Sequence, residues 1–99
     1  MVPVDFEAEL WLWQADKGAW HFLTVPPQES DALRMFSPQA KRGFGSVRVR
    51  ARIGGTTWKT SVFPSKEHGG YLLPVKKAVR VAEALDVGST AAVSLEVEL

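Results

Sequence analysis

From Gly45 to Pro64 the chain alternates apolar and polar positions, interrupted only by Gly54-Gly55. Period-two alternation on both sides of a two-glycine turn predicts a β-hairpin. A two-residue turn also fixes the register. Ile53 then faces Thr56, Ala51 faces Trp58, Val49 faces Thr60 and Val47 faces Val62, all on a core face. The opposite face pairs Arg52 with Thr57, Arg50 with Lys59 and Arg48 with Ser61. Pro64 is expected to stop the second strand.

Residues 4–13 alternate as one further strand, with Phe6, Ala8, Leu10 and Leu12 against Asp5, Glu7, Glu9, Trp11 and Trp13. From Leu10 onward both sides are apolar, so that end is predicted to be covered on both. A turn ending at Gly18 leads into a second strand over 19–25, which Pro26-Pro27 ends. Ser30-Asp31 offer an N-cap to a short helix with Leu33, Phe36 and Ala32 inward, closed by Ser37-Pro38. Residues 39–43 form a polar connection to the hairpin. Beyond it, 65–70 is a glycine-containing turn and Tyr71-Leu72-Leu73 a short strand stopped by Pro74.

The spacing of Val75, Ala78, Val79, Ala82 and Leu85 predicts a helix over 75–85, with Lys76, Lys77, Arg80 and Glu83 outside. Gly88 is read as the glycine past its end. Residues 91–99 form the last strand, with Val93, Leu95, Val97 and Leu99 inward and Ser94, Glu96 and Glu98 outward. Trp20 and Trp58 are read as core, and Trp11 and Trp13 as core cover. The halves echo each other: Trp20 precedes Pro26 by the interval that separates Trp58 from Pro64. Val25-Pro26 and Leu73-Pro74 each lead from a strand into a helix. The fold class is therefore mainly β, a single domain over 1–99. About six strands and two short helical caps favour a closed or nearly closed pseudo-symmetric barrel.

Composition narrows the chemistry. Twelve Lys and Arg against eleven Asp and Glu leave a formal charge of +1, so only a local patch can draw a charged partner. The chain has no cysteine, which excludes disulfides, thiolate metal sites and cysteine nucleophiles. No apolar run nears the ~18 residues of a membrane helix and no charged-then-apolar leader opens the sequence. A cytoplasmic protein with no membrane partner is the expectation.

The run from Gly45 through Thr60-Ser61-Val62-Phe63-Pro64, and then Gly70-Tyr71-Leu72-Leu73-Pro74-Val75-Lys76-Lys77, resembles the bacterial family known as domain of unknown function 1905. Two positions depart from its pattern: Ala84 where a glycine is usual, and Ser89 where an aspartate usually follows the glycine. The resemblance implies a double-split β-barrel grouped with the AbrB and MazE DNA-binding domains. It also implies that one chain completes the barrel, hence a monomer. The family carries no assigned activity.

No catalytic constellation is visible. His21 and His68 lack ligands or orienters at useful spacing, and there is no Gly-x-Ser-x-Gly elbow. Gly43-x-Gly45 opens a strand and not a helix, so it is no phosphate loop. The pairs Glu7/Glu9 and Glu96/Glu98 read as solvated strand faces. The expectation is a protein without enzymatic activity, cofactor or metal.

The basic residues are less ordinary. Arg50 opposite Lys59 is a like-charge cross-strand pair, and Lys76 and Lys77 open a helix whose dipole is already positive there. Together with Arg48, Arg52 and Arg80 they form a candidate anion or nucleic-acid surface. The competing reading is an ion ladder, in which Asp5, Glu7, Glu9, Glu96 and Glu98 neutralise the arginine strand. The leading expectation is a non-catalytic binding module acting through a barrel surface on a protein partner or fused domain. The alternative is DNA binding through the basic hairpin face.

Overall fold

The computed structural model describes residues 3–37 and 45–98. In chain order it contains β1 (Val4–Glu9), β2 (Trp11–Ala15), β3 (Gly18–Thr24), α1 (Pro27–Phe36), β4 (Val47–Ile53), β5 (Thr56–Ser65), β6 (Gly70–Pro74), α2 (Lys77–Ala82) and β7 (Thr90–Val97). The polar connection read at 39–43 lies outside the described residues, as does Leu99.

The hairpin forms in the expected register, from Val47↔Val62 to Ile53↔Thr56, with Gly54 at a φ of 57° in the turn. Along β4 burial alternates strictly: Val47, Val49, Ala51 and Ile53 are buried and the three arginines exposed. Pro64 does not stop β5, which continues to Ser65 while pairing with β6. The reason is local. The β4 pairing has already ended at Val62, leaving β5 an edge on that side, where a residue without an N–H is tolerated.

The strand read over 4–13 is two strands, hinged at the fully buried Leu10. Leu10 carries the β1–β7 register one step past Glu9↔Thr90, donating its N–H to the Ser89 carbonyl (2.9 Å) and accepting from the Gly88 N–H (2.8 Å). β1 then pairs with β7 and β2 with β3. The result among the described residues is a seven-stranded antiparallel sheet, in the order β1-β7-β4-β5-β6-β3-β2. Its two end strands are consecutive in the chain, joined only by Leu10, so the sheet has to curl into a half-barrel. One apolar cluster fills it, and both Trp58 and Val79 belong to that cluster.

Both helices start elsewhere than expected. Pro27 occupies the first turn of α1 with Pro26 at the cap, since a fixed φ near −65° favours a helix start. Ser30 is consequently inside the helix and buried. Its Oγ donates to the Val25 carbonyl (3.0 Å) and accepts from the Tyr71 N–H (2.9 Å). Leu33 is buried as read, while Phe36 is exposed at the edge of the buried stripe.

α2 has six residues, with Val79 buried and Ala78 and Ala82 exposed; of the flanking positions read into it, Val75 is buried ahead of it and Leu85 packs on the core beyond it. It ends earlier than Gly88. Leu85 N–H returns to the Arg80 carbonyl (2.8 Å) and Ala84 N–H to the Val81 carbonyl (3.3 Å), the Schellman closure. Ala84 takes the left-handed position at φ 53°, where a glycine belongs.

The pseudo-symmetry is present on a different footing from the tryptophan echo. The β3–β6 ladder is centred on Leu23↔Leu73, two positions 50 residues apart. The bonds flanking it match: Val25 N–H to the Tyr71 carbonyl (2.8 Å), and Val75 N–H to the His21 carbonyl (2.9 Å). The same shift carries β3 onto β6, α1 onto α2, and the β1–Leu10–β2 run onto the long β5. Trp20 and Trp58 are not equivalent, and Trp20 is 55% exposed where the sequence reading placed it in the core.

Candidate functional site

β5 and β6 pair only from Phe63↔Leu72 to Ser65↔Gly70. On the Lys59 side of Phe63 the two strands separate, and a cleft of about 250 Å³ lies there. It is lined from β5 by Trp58, Lys59 and Thr60, from β3 by Ala19, Trp20 and His21, and from the α2 junction by Pro74, Val75, Lys76 and Arg80. Three cations and no carboxylate line it. The bond from Val75 to His21 extends the β3–β6 register by one step, to the junction where Lys76 and Trp20 both line the cleft.

Arg80 is held in place. Its Nε donates to the Val75 carbonyl (3.1 Å), leaving the two terminal nitrogens of the guanidinium for another acceptor. His21 is shifted below the ordinary histidine value, first by burial and second by the positive charge of Arg80. The imidazole is therefore neutral at pH 7 and can both accept and donate a hydrogen bond.

Beside the cleft, the outer face of β2 and β3 carries an aromatic row. Trp13 is directly opposite Trp20, and Trp11 opposite Phe22. The Trp20 and Phe22 rings lie nearly parallel at 6.2 Å, Trp11 and Phe22 are 5.3 Å apart, and Trp11 stacks on His68 at 4.6 Å. Trp11 Nε1 donates to Thr24 Oγ1 (2.9 Å), which fixes its ring. Trp13 is 45% exposed, so it is not the core cover that alternation suggested; alternation reports a strand's two faces but not whether anything covers the outer one.

The seven basic residues divide into groups. Lys59, Lys76 and Arg80 meet at the cleft. Arg48 pairs with Glu98 at 3.7 Å, and Arg50 lies between Lys59 on β5 and Glu96 on β7. Arg52 lies towards the acidic side, sharing a shallow hollow with Asp5 and Glu7. Lys77 is exposed and outside the cleft lining; on a six-residue helix the dipole argument for it has little force. The ion ladder is thus partial: β7 adjoins the arginine strand, whereas β1, with Glu7 and Glu9, lies one strand further out. Among the described residues the ion pairs include Arg34–Asp31 and Arg48–Glu98. Trp13, Trp20 and His21 are the site residues the sequence reading passed over. For Trp20, and for Trp13 paired with it, the signal was parity: Leu23 and Val25 are the core positions, which turns Phe22 and Trp20 outward, whereas His21 shares the parity of Leu23 and carried no such signal.

Among the described residues no three histidine or acidic side chains gather into a metal-holding group, and no helix is long and apolar enough to cross a membrane. The fold defines a small, mainly β domain: a split half-barrel with a cationic cleft at one strand-to-helix junction. The chain belongs to the family described as Domain of unknown function (DUF1905), whose model matches residues 6–95. No curated protein is detectably similar to it.

Proposed function

We propose that the domain is a non-catalytic binding module for single-stranded nucleic acid, held on the outer face of β2 and β3 and the adjoining cations. The observation that carries this reading is the sequence of side chains across the sheet. Glu96, Arg50 and Lys59 follow one another on β7, β4 and β5; Lys59, Lys76 and Trp20 line one cleft, and Trp20 faces Trp13. Cations that track a phosphate backbone beside exposed aromatic rings are the arrangement that holds unpaired bases. A duplex hides its base faces and would leave the tryptophans unused. The acidic β1/β7 side bounds the track and repels a strand that strays from it. The 50-residue pseudo-symmetry and the β5/β6 separation support reading the half-barrel as the double-split plan that the family resemblance implies.

Exposure of Trp13, Trp20 and Phe63 favours a second reading, a protein partner or fused domain docked on the same face. Tryptophan fluorescence, titrated with short single-stranded DNA and RNA at two salt concentrations, separates the two. Strand binding quenches the signal, weakens steeply with salt, and is lost in Trp20→Ala and Lys59→Gln. Absence of quenching at low salt overturns the nucleic-acid reading and leaves the protein-docking one.

A further inference from the structure

The fold builds the same strand-to-helix junction twice and seals only one of them. At the first, Val25 leads into α1, and Ser30 reaches back five residues to bond the Val25 carbonyl (3.0 Å). Gly70 packs there so closely that an added Cβ would collide with the Val25 carbonyl and the Ser30 hydroxyl. Tyr71 is 1% exposed. At the second junction each residue has its counterpart 50 positions along or back: Val75 for Val25, Arg80 for Ser30, Trp20 for Gly70 and His21 for Tyr71. Arg80 makes the same five-residue return to the Val75 carbonyl. Yet this junction is open, and the opening is the cleft of about 250 Å³.

The opening is not a requirement of the backbone, because the same backbone plan closes with Ser30 and Gly70. It comes from the side chains placed there. Lys59, Lys76 and Arg80 line a single hollow without a carboxylate among the lining residues. Like charges gathered along one hollow repel each other, modestly here because Lys59 and Lys76 are exposed to solvent, and an anion that joins them relieves the repulsion.

We infer that this open junction is a binding pocket for a phosphomonoester carrying a ring-sized substituent. Three cations suit a group of charge near −2 better than a single carboxylate. The terminal guanidinium nitrogens of Arg80 offer the paired donors that phosphate oxygens accept. Neutral His21 adds a donor or acceptor, and Trp20 and Trp58 border the space left for a ring. The volume lies just under the roughly 300 Å³ at which sites for larger ligands begin, so a single nucleotide unit fills it. Such a group comes either from a free mononucleotide or from the phosphorylated end of a strand. In the second case the pocket rests on the strand-binding reading above; in the first it stands alone.

The test uses the intact chain and five probes: inorganic phosphate, a purine nucleoside 5′-monophosphate, the same nucleoside unphosphorylated, and a short single strand with and without a 5′-phosphate. Binding is followed by the NMR signals of the His21 ring and the Trp20 indole. The monophosphate is expected to shift both, to bind at least tenfold tighter than the nucleoside, and to raise the pKa of His21. Arg80→Gln should weaken it at least tenfold, while Arg52→Gln, on the acidic side, leaves it unchanged. A thermal melt confirms that each variant is folded. A response only to the 5′-phosphorylated strand supports the pocket and names the strand end as its source. No shift of either ring at millimolar monophosphate and with the phosphorylated strand, or equal binding by Arg80→Gln, overturns the pocket. An unphosphorylated strand that binds wild type and Arg80→Gln alike, but not Trp13→Ala, would then leave the aromatic face standing without it.

Discussion

At the scale of single residues, Ala84 is where sequence and backbone disagree. The Schellman closure of α2 places it at φ 53°, a region that costs an alanine about 1–2 kcal/mol and a glycine nothing. Against this stands the greater entropy a glycine loses on folding, roughly 0.5–1 kcal/mol. Ala84→Gly is therefore expected to stabilise the domain by up to about 1 kcal/mol, read as a higher urea midpoint with an unchanged slope. A lower midpoint would mean that the turn is not held left-handed. His21 gives a second prediction. Its folded-state pKa is lowered, so protons bind the unfolded chain more tightly, and stability falls as pH drops below the ordinary value of 6.5. Burial is the larger cause and Arg80 the smaller, so Arg80→Gln should move the His21 titration up only part of the way. A wild-type ring that titrates at or above 6.5 would contradict the geometry. The depressed histidine is not legible from residue type, because it depends on what the fold brings beside it, whereas the strained alanine shows in the sequence only as the departure at Ala84 from the usual glycine.

At the scale of elements, the β4–β5 hairpin was fully legible, since a two-glycine turn and strict alternation admit one register. Its outer face is more instructive than its core face. Arg50 sits directly between Lys59 and Glu96, repelled on one side and attracted on the other. Lys59→Glu replaces the like-charge pair with an opposite-charge one, so it should stabilise the free domain by roughly 0.5–1 kcal/mol. The same change removes a cleft cation and should abolish binding of both single strand and monophosphate. Stability gained with binding lost is the signature of a residue kept for a ligand. A variant that binds as before would show that Lys59 is only a solvated surface charge. The helices were less legible than the hairpin. Proline at the start of α1 outweighed the Ser30-Asp31 cap, and α2 stopped at a turn whose key residue is an alanine.

At the scale of the whole molecule, one residue decides whether the sheet stays open. Leu10 breaks a continuous alternating run into β1 and β2 and carries the chain from one end of the strand order to the other. Because a single chain supplies all seven strands described, the melting temperature is expected to stay constant on hundredfold dilution. A fall with dilution would show that a second copy completes the barrel. By itself the sequence determined the β-rich class, the hairpin register, the inward face of the last strand and the family, because these follow from local periodicity and short-range turn chemistry. Only the tertiary structure decided the rest. It showed that β7 and not β1 lies against the arginine strand, that Trp20 faces outward, and that Lys59, Lys76 and Arg80 line one hollow although they come from different elements. Periodicity tells which residues share a face of their own strand. Which faces meet, and which of two equivalent junctions stays open, is set by long-range pairing and by the volume of the side chains that arrive there.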